Sequence, residues 1–429
     1  MNSNYVRRLI DSDLDDLMPD LPAIALEGPK GVGKTATASR RARTVLHLDR
    51  ERDAEEVLAN PRILATEPPP VLLDEWQHVP QVWDEVRHLV DDGARPGSFL
   101  FAGSAAPVGA ATHSGAARIV RMRIRPLSLA ERQLATPSVS LGRLLAGDDG
   151  PVGGEAELGH DDYIREIAAS GFPALRRLSA RSRHWQLEGY VTNVVEHEFA
   201  DQGITVRKPH SLRRWLRAYA GATATNASYT AILDAATAGE ADKPAASTVV
   251  AYRDALAALW LLDEVDPWDP GGVGVGVGVG RLAKTPRHFL ADPALALVLL
   301  GLDQAALARH PEDRVFGPRY GSLAGRLFEA LVGLSLQTYA ARNDATVSFL
   351  RTQDGRREVD FVVQKGRAVV GVEVKLAAEV GPKDVAHLVW LRERLGSDFA
   401  AGVVLTTGRR AYRRPTDGIL VIPAALLGA

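Results

Sequence analysis

Short apolar runs alternate with helix-length amphipathic segments over the first third of the chain. The segments Lys34–Arg43 and Gln81–Asp91 have the spacing of helices. Most of the apolar runs are nearly continuous, which is typical of strands buried on both faces of a parallel sheet. There are five such runs, at Ile24–Leu26, Val45–Leu48, Val71–Leu73, Phe99–Phe101 and Ile119–Ile124. The alternation predicts a parallel α/β domain over residues 1–135.

Two further units are predicted after this domain. Residues 136–160 are rich in Gly, Ser and Pro and are predicted to form a linker, and residues 161–290 have mainly helical spacing. In residues 291–429 a helix at Leu323–Tyr339 precedes several strand-like runs, which predicts a second α/β domain. The low-complexity run Gly271–Gly280 is predicted to be either a hairpin tip or a disordered loop.

Composition excludes several classes of protein. The 429 residues are 46% hydrophobic and 24% charged, which is the balance of an ordinary globular protein. The absence of cysteine excludes disulfides, Cys-ligated metal sites and a thiol nucleophile. The formal net charge of −2 gives no overall attraction to nucleic acid or to a membrane. The polar, acidic N-terminus has no apolar signal core, so we expect a cytoplasmic protein with no membrane partner.

A phosphate-binding loop is predicted where the first strand meets the first helix. The segment GPKGVGKT fits the pattern G-x-x-x-x-G-K-[ST]. In such loops the glycines let backbone N–H groups surround phosphates, and the helix N-terminus favours negative charge. Lys34 is expected to bridge the β- and γ-phosphates of ATP, and the Thr35 hydroxyl to bind Mg²⁺. The predicted cofactor-binding residues are Gly28, Pro29, Lys30, Gly31, Val32, Gly33, Lys34 and Thr35.

Acidic and polar residues at the ends of later strands complete this prediction. Asp74 and Glu75 follow an apolar strand, so Asp74 is expected to hold Mg²⁺ through its water shell and Glu75 to polarise the attacking water. Ser104, at the end of the next buried strand, is expected either to sense the γ-phosphate or the water, or to form only a turn. Arg118 is a candidate ligand for a phosphate of its own chain or of a neighbouring one.

A second group of charged residues is predicted near the C-terminus. Asp360 and Glu358 share one strand face, and Glu373 and Lys375 share a face of the following strand. The other face of each strand is rich in valine and is expected to point to the core. Two carboxylates and an ammonium are therefore predicted to converge. Either they form a site, or they form a solvated face with a salt bridge.

The middle unit offers a candidate nucleic-acid interface. The segment Tyr229–Val265 has a helix, a turn and a longer helix, with Ser247 as a candidate N-cap, and resembles a winged helix-turn-helix. The second helix is poor in basic residues. Both DNA reading and simple packing therefore stay open for this unit.

The order of motifs resembles a known family. The P-loop, DEWQHVPQVWDEVRHLVDD, FLFAGSAAP and RIRPLSLAER resemble the ATPase domain of an AAA-type family of bacteria and archaea over about residues 20–133. SGFPAL, LWLLDEVDPW, KTPRHFLADPALA, GRLFEALV and REVDFVV resemble the C-terminal domain of unknown function in those proteins. No unmistakable arginine finger is present, so the oligomeric state stays open.

The C-terminal unit resembles a restriction-endonuclease-like fold. That resemblance implies that Asp360 and Glu373 hold a second Mg²⁺ or Mn²⁺, that Lys375 orients water or steadies the charge of the phosphorane, and that Glu329 takes the place of the helix carboxylate. A degenerate fold that binds nucleic acid without cutting it is the alternative.

The sequence therefore predicts a Mg²⁺-dependent ATPase with three modules, and three hypotheses for its output stay open. In the first, ATP drives binding or cleavage of DNA or RNA by the C-terminal domain. In the second, the protein is an ATP-gated switch that binds a protein partner, and its C-terminal domain is catalytically inactive. In the third, the C-terminal domain is only an oligomerisation surface.

Overall fold

The computed structural model describes residues 5–103, 116–199, 208–238, 244–270, 282, 284–309 and 322–429. Ser104 and the Gly271–Gly280 run lie outside the described residues, so the predictions made for them are not taken further. No helix in the described ranges is long and apolar enough to cross a bilayer.

The N-terminal domain contains the predicted parallel sheet. Its five strands run in the order β2-β3-β4-β1-β5, and every neighbouring pair is parallel. The strands are β1 (Ala23–Glu27), β2 (Thr44–His47), β3 (Val71–Asp74), β4 (Phe99–Gly103) and β5 (Ile119–Arg123). The helices are α1 (Leu9–Leu17), α2 (Lys34–Ala38), α3 (Glu51–Ala59), α4 (Ile63–Thr66) and α5 (Gln81–Asp91). The predicted α/β class is thereby confirmed.

Both faces of this sheet are buried, as the continuous apolar strands predict. Alternate residues of β1 belong to different cores: Ala23 and Ala25 join a cluster around Trp83, and Ile24 and Leu26 join the core that continues into the rest of the chain. Helix α2 ends at Ala38, earlier than the predicted Arg43, because the chain turns there to enter β2 at Thr44.

The middle of the chain is helical. Its helices are α6 (Leu141–Leu145), α7 (His160–Ala169), α8 (Ala180–Asn193), α9 (Pro209–Gly221), α10 (Tyr229–Ala236), α11 (Ala246–Ala258), α12 (Pro293–Leu300) and α13 (Gln304–Arg309). Helix α12 packs against α9 and α8. A π-helical turn, Val194–Glu198, continues α8. An antiparallel pairing of Leu262 with Leu290 and of Val265 with Arg287 follows α11, as a wing would.

Two details differ from the sequence-based expectations for this region. The segment 136–160 is not a free linker, because it contains β6 (Val139–Ser140), which pairs with the last strand of the chain, and α6, whose leucines are buried. The helix α11 begins at Ala246 after an N-cap at Ala245, so Ser247 is not its cap. Tyr252 and Leu256 of this helix are buried, so its apolar face is used for packing.

The C-terminal unit is a six-stranded mixed sheet in the order β11-β12-β10-β9-β8-β7. Its strands are β7 (Thr346–Arg351), β8 (Glu358–Lys365), β9 (Ala368–Lys375), β10 (Phe399–Thr406), β11 (Tyr412–Arg413) and β12 (Leu420–Pro423), and β13 (Leu427–Gly428) pairs with β6. The helices are α14 (Leu323–Arg342) and α15 (Pro382–Leu395). A Cβ at Gly333 would lie 2.8 Å from the Phe361 ring, so α14 approaches the sheet closely at this glycine.

Candidate functional site

The glycine-rich loop lies at the carboxyl end of β1 and leads into α2. Gly31 and Gly33 have φ values of 77° and 105°, in the left-handed region that favours glycine. A Cβ at Gly28 would lie 2.2 Å from the backbone oxygen of Ile124, so only glycine fits against the end of β5. The geometry therefore explains three of the glycines in the motif.

The predicted phosphate and metal residues meet at this edge of the sheet. The Thr35 hydroxyl donates to Oδ1 of Asp74 at 2.7 Å, and Nδ1 of His47 lies 3.0 Å from Oδ2 of the same carboxylate. The Lys34 ammonium is buried and donates to the backbone oxygens of Gly28 and Pro29 at 2.9 and 3.1 Å. Thr35 and Asp74 are therefore close enough to hold one Mg²⁺ between them. The Lys34 ammonium lies against the backbone of the loop.

Electrostatics at this edge favour an anionic ligand. Burial lowers the pKa of Lys34 to about 8, although the carboxylates of Glu75 and Asp74 oppose this shift. The ammonium is therefore still charged at neutral pH. A buried positive group beside backbone N–H donors is suited to phosphate oxygens.

Glu75 is held by local backbone geometry. Its φ and ψ are 51° and 42°, and its N–H donates to the backbone oxygen of Ala102 on β4 at 2.8 Å. Left-handed geometry at a glutamate is uncommon and is often found at functional positions. The side-chain amide of Gln77 donates to Oε2 of Glu75. The carboxylate is thus oriented at the strand end, directly after Asp74.

Arg8 also supports the loop, although sequence reasoning missed it. The guanidinium of Arg8 is buried, donates to the backbone oxygen of Val32 at 3.2 Å, and pairs with Glu131 at 3.1 Å. No motif in the sequence marks Arg8, because its partners lie 24 and 123 residues away.

Glu198, on the π-helical turn, approaches the loop from the middle module. Its Oε1 lies 3.7 Å from Nζ of Lys30, and its negative charge also acts on Lys34. Single π-helical turns occur frequently at functional sites. The hydrophobic spacing of this segment does not distinguish a π turn from an α-helix, so no pattern in the sequence marks Glu198.

Arg118 does not join the residues at the loop. It precedes β5, which runs parallel to β1, so it lies at the edge of the sheet opposite the loop. Its Nε binds Oδ1 of Asp91 at 2.8 Å. The prediction that Arg118 reaches a phosphate of its own chain is therefore corrected, because strand direction places it at the wrong end. Contact with a neighbouring chain's nucleotide stays a prediction.

The predicted C-terminal residues do converge. Asp360 and Glu373 lie on adjacent antiparallel strands, and the charges of Asp360 and Lys375 both act on Glu373. Burial and the nearby Asp360 hold the pKa of Glu373 well above its usual range. Nζ of Lys375 lies 3.3 Å from Asp384. Strand parity thus correctly placed these side chains together.

An arginine that sequence reasoning missed lies among them. The buried Arg287 guanidinium binds Glu329 and Glu358, and lies 3.2 Å from Oδ1 of Asp360. Burial raises the pKa of Glu329 to about 8, against the opposing pull of Arg287. Glu329 is therefore connected to the cluster through Arg287.

The arrangement does not fit the divalent metal that a nuclease-like fold implies. Oδ1 of Asp360 binds Arg287, and Oδ2 accepts the N–H of Val374 at 2.9 Å. Glu373 retains one buried oxygen, Oε1, with no hydrogen-bond partner among the described residues. No group of three or more metal-ligating side chains occurs in the part of the chain that the structure describes. We therefore derive no catalytic step through a metal here.

Family comparisons agree with the first of these sites. Residues 20–133 match the family described as an AAA domain. This match agrees with the loop geometry described above and supports ATP binding and hydrolysis. Residues 160–306 and 324–427 match two domains of unknown function, DUF8612 and DUF4143.

Two curated proteins and two solved structures are among those similar to this chain. Two uncharacterized proteins, of Mycobacterium bovis and Mycobacterium tuberculosis, are each 27% identical over 364 residues, covering 82% of this chain and 70% of theirs. The Walker-type ATPase paby2304 of Pyrococcus abyssi is 14% identical with a TM-score of 0.40, covering 70% of this chain and 97% of its own. The Aeropyrum pernix ORC2 protein is 15% identical with a TM-score of 0.30, covering 72% and 98%. At these scores neither solved structure bears on function.

Proposed function

We propose that the chain binds Mg²⁺-ATP at the loop from Gly28 to Thr35 and hydrolyses it. The observation that supports this proposal is the 2.7 Å hydrogen bond from Thr35 to Asp74, the two residues that we propose as Mg²⁺ ligands. Bound Mg²⁺ would neutralise charge on the phosphates. The loop N–H groups and Lys34 would hold the phosphates at the N-terminus of α2.

Glu75 would act as the general base toward the attacking water. It directly follows Asp74, and Gln77 orients its carboxylate. A base in this position removes or polarises a proton of the water as it attacks the γ-phosphate. Lys34 would stabilise the charge that spreads over the γ-phosphate oxygens during the reaction.

Two variants test this proposal. Lys34→Ala should abolish Mg²⁺-ATP binding in calorimetry, and Glu75→Gln should retain binding while turnover falls by about two orders of magnitude or more. The exposed residues Lys383 and Glu55 provide matched controls, as Lys383→Ala and Glu55→Gln. Unchanged affinity in Lys34→Ala, or hydrolysis at the parental rate in Glu75→Gln, would contradict the assigned roles.

The output of hydrolysis is proposed to reach the C-terminal domain through α14. Ser335 accepts the N–H of Leu129 at 3.0 Å, and the Tyr339 hydroxyl accepts the N–H of Ala130 at 2.9 Å. Both acceptors lie on the helix that also carries Glu329. A rigid helix that contacts both units can transmit a change at one to the other.

For this output we favour a switch that binds a partner without cutting nucleic acid, because Arg287 and Val374 already bind both oxygens of Asp360. Cleavage of DNA or RNA is the second candidate, favoured by the convergence of Asp360, Glu373 and Lys375. Incubation with duplex DNA, single-stranded DNA and RNA in Mg²⁺ or Mn²⁺ distinguishes the two. We expect no cleavage. Cleavage that disappears in Glu373→Gln would establish the second candidate.

A further inference from the structure

We infer that Arg287 is an internal cation that takes the place of a divalent metal in the acidic cluster of the C-terminal domain. The cluster consists of Glu329, Glu358, Asp360 and Glu373. The first three of these side chains bind the Arg287 guanidinium directly. Those of the four carboxyl groups that are ionised need positive charge to compensate them, because uncompensated buried charges cost several kcal/mol.

The guanidinium is held on several sides. Its side chain is 4% exposed, and it lies over the Phe349 ring, with its central carbon 5.1 Å from the ring centroid. Besides the three carboxylates it donates to the backbone oxygen of Asp360 at 3.3 Å. A planar fork of donors can bind several carboxylates in fixed directions, which a lysine ammonium does not do in the same way.

Arg287 binds carboxylate oxygens that a divalent metal in this cluster would need as ligands. A divalent ion such as Mg²⁺ or Mn²⁺ needs several oxygen ligands around it. With Arg287 in place, Asp360 has both oxygens hydrogen-bonded, and Glu329 and Glu358 each bind the guanidinium through one oxygen. Within this cluster Glu373 is left without an ion pair to Arg287, and its Oε1 lies 3.9 Å from Nδ1 of His387. Removal of the guanidinium would leave oxygens of Asp360, Glu329 and Glu358 without this shared partner, around the position that it occupied.

Arg287 is also tied to the ATPase domain by a short path. Its backbone exchanges two hydrogen bonds with Val265, at 2.9 and 3.0 Å. Two residues earlier, Asp263 binds the guanidinium of Arg123 at 2.8 Å and that of Arg125 at 2.8 Å. Arg123 ends β5, at the edge of the sheet that carries the phosphate-binding loop. Arg287 therefore lies on the segment that pairs with Val265, close to the ion pairs that join Asp263 to the N-terminal domain.

Mn²⁺ binding tests the inference. Titration with Mn²⁺, followed by electron paramagnetic resonance, is applied to nucleotide-free wild type, Glu373→Gln, Arg287→Met and the double variant Arg287→Met/Glu373→Gln. We expect wild type and Glu373→Gln to bind Mn²⁺ alike, with no site that depends on Glu373. Arg287→Met should gain one site at least tenfold tighter than any wild-type binding, and the double variant should lose it. Arg356→Met, in an exposed turn, should gain none.

Two results would overturn the inference. One is a wild-type Mn²⁺ site that disappears in Glu373→Gln. The other is a folded Arg287→Met protein, verified by circular dichroism, that gains no site. If Arg287→Met does not fold, Arg287→Gln replaces it, and a Glu373-dependent Mn²⁺ site in the wild type would still overturn the inference. The inference rests on the proposed non-cleaving role of the C-terminal domain. Its test measures metal binding, whereas the proposed role is tested by cleavage of nucleic acid, so either can fail while the other holds. Lys34→Ala should leave the Mn²⁺ result unchanged.

Discussion

The carboxylate of Glu198 lies 3.7 Å from the ammonium of Lys30, so an acidic group of the middle module faces the phosphate-binding loop. The Glu198 side chain is 9% exposed, and its charge also acts on Lys34. Phosphates entering the loop would bring further negative charge close to this carboxylate. Under the proposed function, bound nucleotide would therefore change the electrostatic surroundings of this carboxylate.

Glu198→Gln should therefore strengthen ATP binding. Removing the negative charge removes its repulsion of the phosphates, and we expect the Kd to fall about threefold to tenfold at moderate salt, the scale of a screened charge interaction. Binding of a fluorescent ATP analogue measures the change. Glu196→Gln is the matched control, because Glu196 is exposed on the same π-helical turn. Weaker binding in Glu198→Gln would show that Glu198 supports the nucleotide instead.

Gln77→Ala should lower turnover without changing ATP affinity. The amide of Gln77 donates to Oε2 of Glu75, and its loss leaves the proposed base free to rotate away from the water. We expect kcat to fall about tenfold, a modest part of a general-base contribution. Steady-state hydrolysis and a separate Kd measurement distinguish the two effects. Gln81→Ala, at the exposed start of α5, should behave as wild type.

ATP affinity should decline at alkaline pH because of Lys34. Burial lowers the pKa of this ammonium to about 8 in the nucleotide-free protein, with Glu75 and Asp74 acting against the shift. Below pH 8 the ammonium is charged and affinity should be constant. Above it, part of the binding free energy is offset by the cost of protonating the lysine, so the Kd at pH 9.5 should be roughly 25-fold higher than at pH 7.5.

Lys34→Arg is the control for this dependence. A guanidinium remains charged over the whole range, so the variant's affinity should be nearly independent of pH between 7.5 and 9.5 whatever its absolute value. An equal alkaline decline in wild type and Lys34→Arg would assign the effect to another group.

Asp263→Asn should destabilise the protein most at neutral pH. Asp263 is buried, and although burial alone would raise its pKa, Arg123 and Arg125 hold the pKa below its usual value. Its stabilising contribution is therefore complete above the unfolded pKa and is lost as the pH falls through the lowered folded pKa. Removing one partner of a buried ion pair costs about 3–5 kcal/mol.

Denaturant unfolding at pH 7 and pH 3 measures this contribution. The difference in unfolding free energy between wild type and Asp263→Asn should narrow at the lower pH. Asp161→Asn, whose side chain is 91% exposed, should show little difference at either pH. A difference that stays constant with pH would indicate that packing, rather than charge, accounts for the effect.

Local sequence was sufficient wherever the interacting residues lie close together in the chain or share a strand. The phosphate-binding loop was predictable because its eight residues are contiguous and their backbone requirements are those of glycine. The α/β class followed from the alternation of apolar runs and helical segments, which burial on both sheet faces requires. The convergence of Asp360 with Glu373 followed from strand parity, since β8 and β9 are adjacent and antiparallel.

The tertiary structure alone decided the partners that are distant in sequence. Arg287 meets Glu329 and Asp360 from 42 and 73 residues away, and Glu198 lies far along the chain from Lys30. Such contacts depend on how the modules pack, and no local spacing encodes them. By itself the sequence determined the phosphate-binding loop and the positions of the carboxylates. The packing of the segment around Arg287 against the C-terminal sheet decided that an arginine lies among those carboxylates.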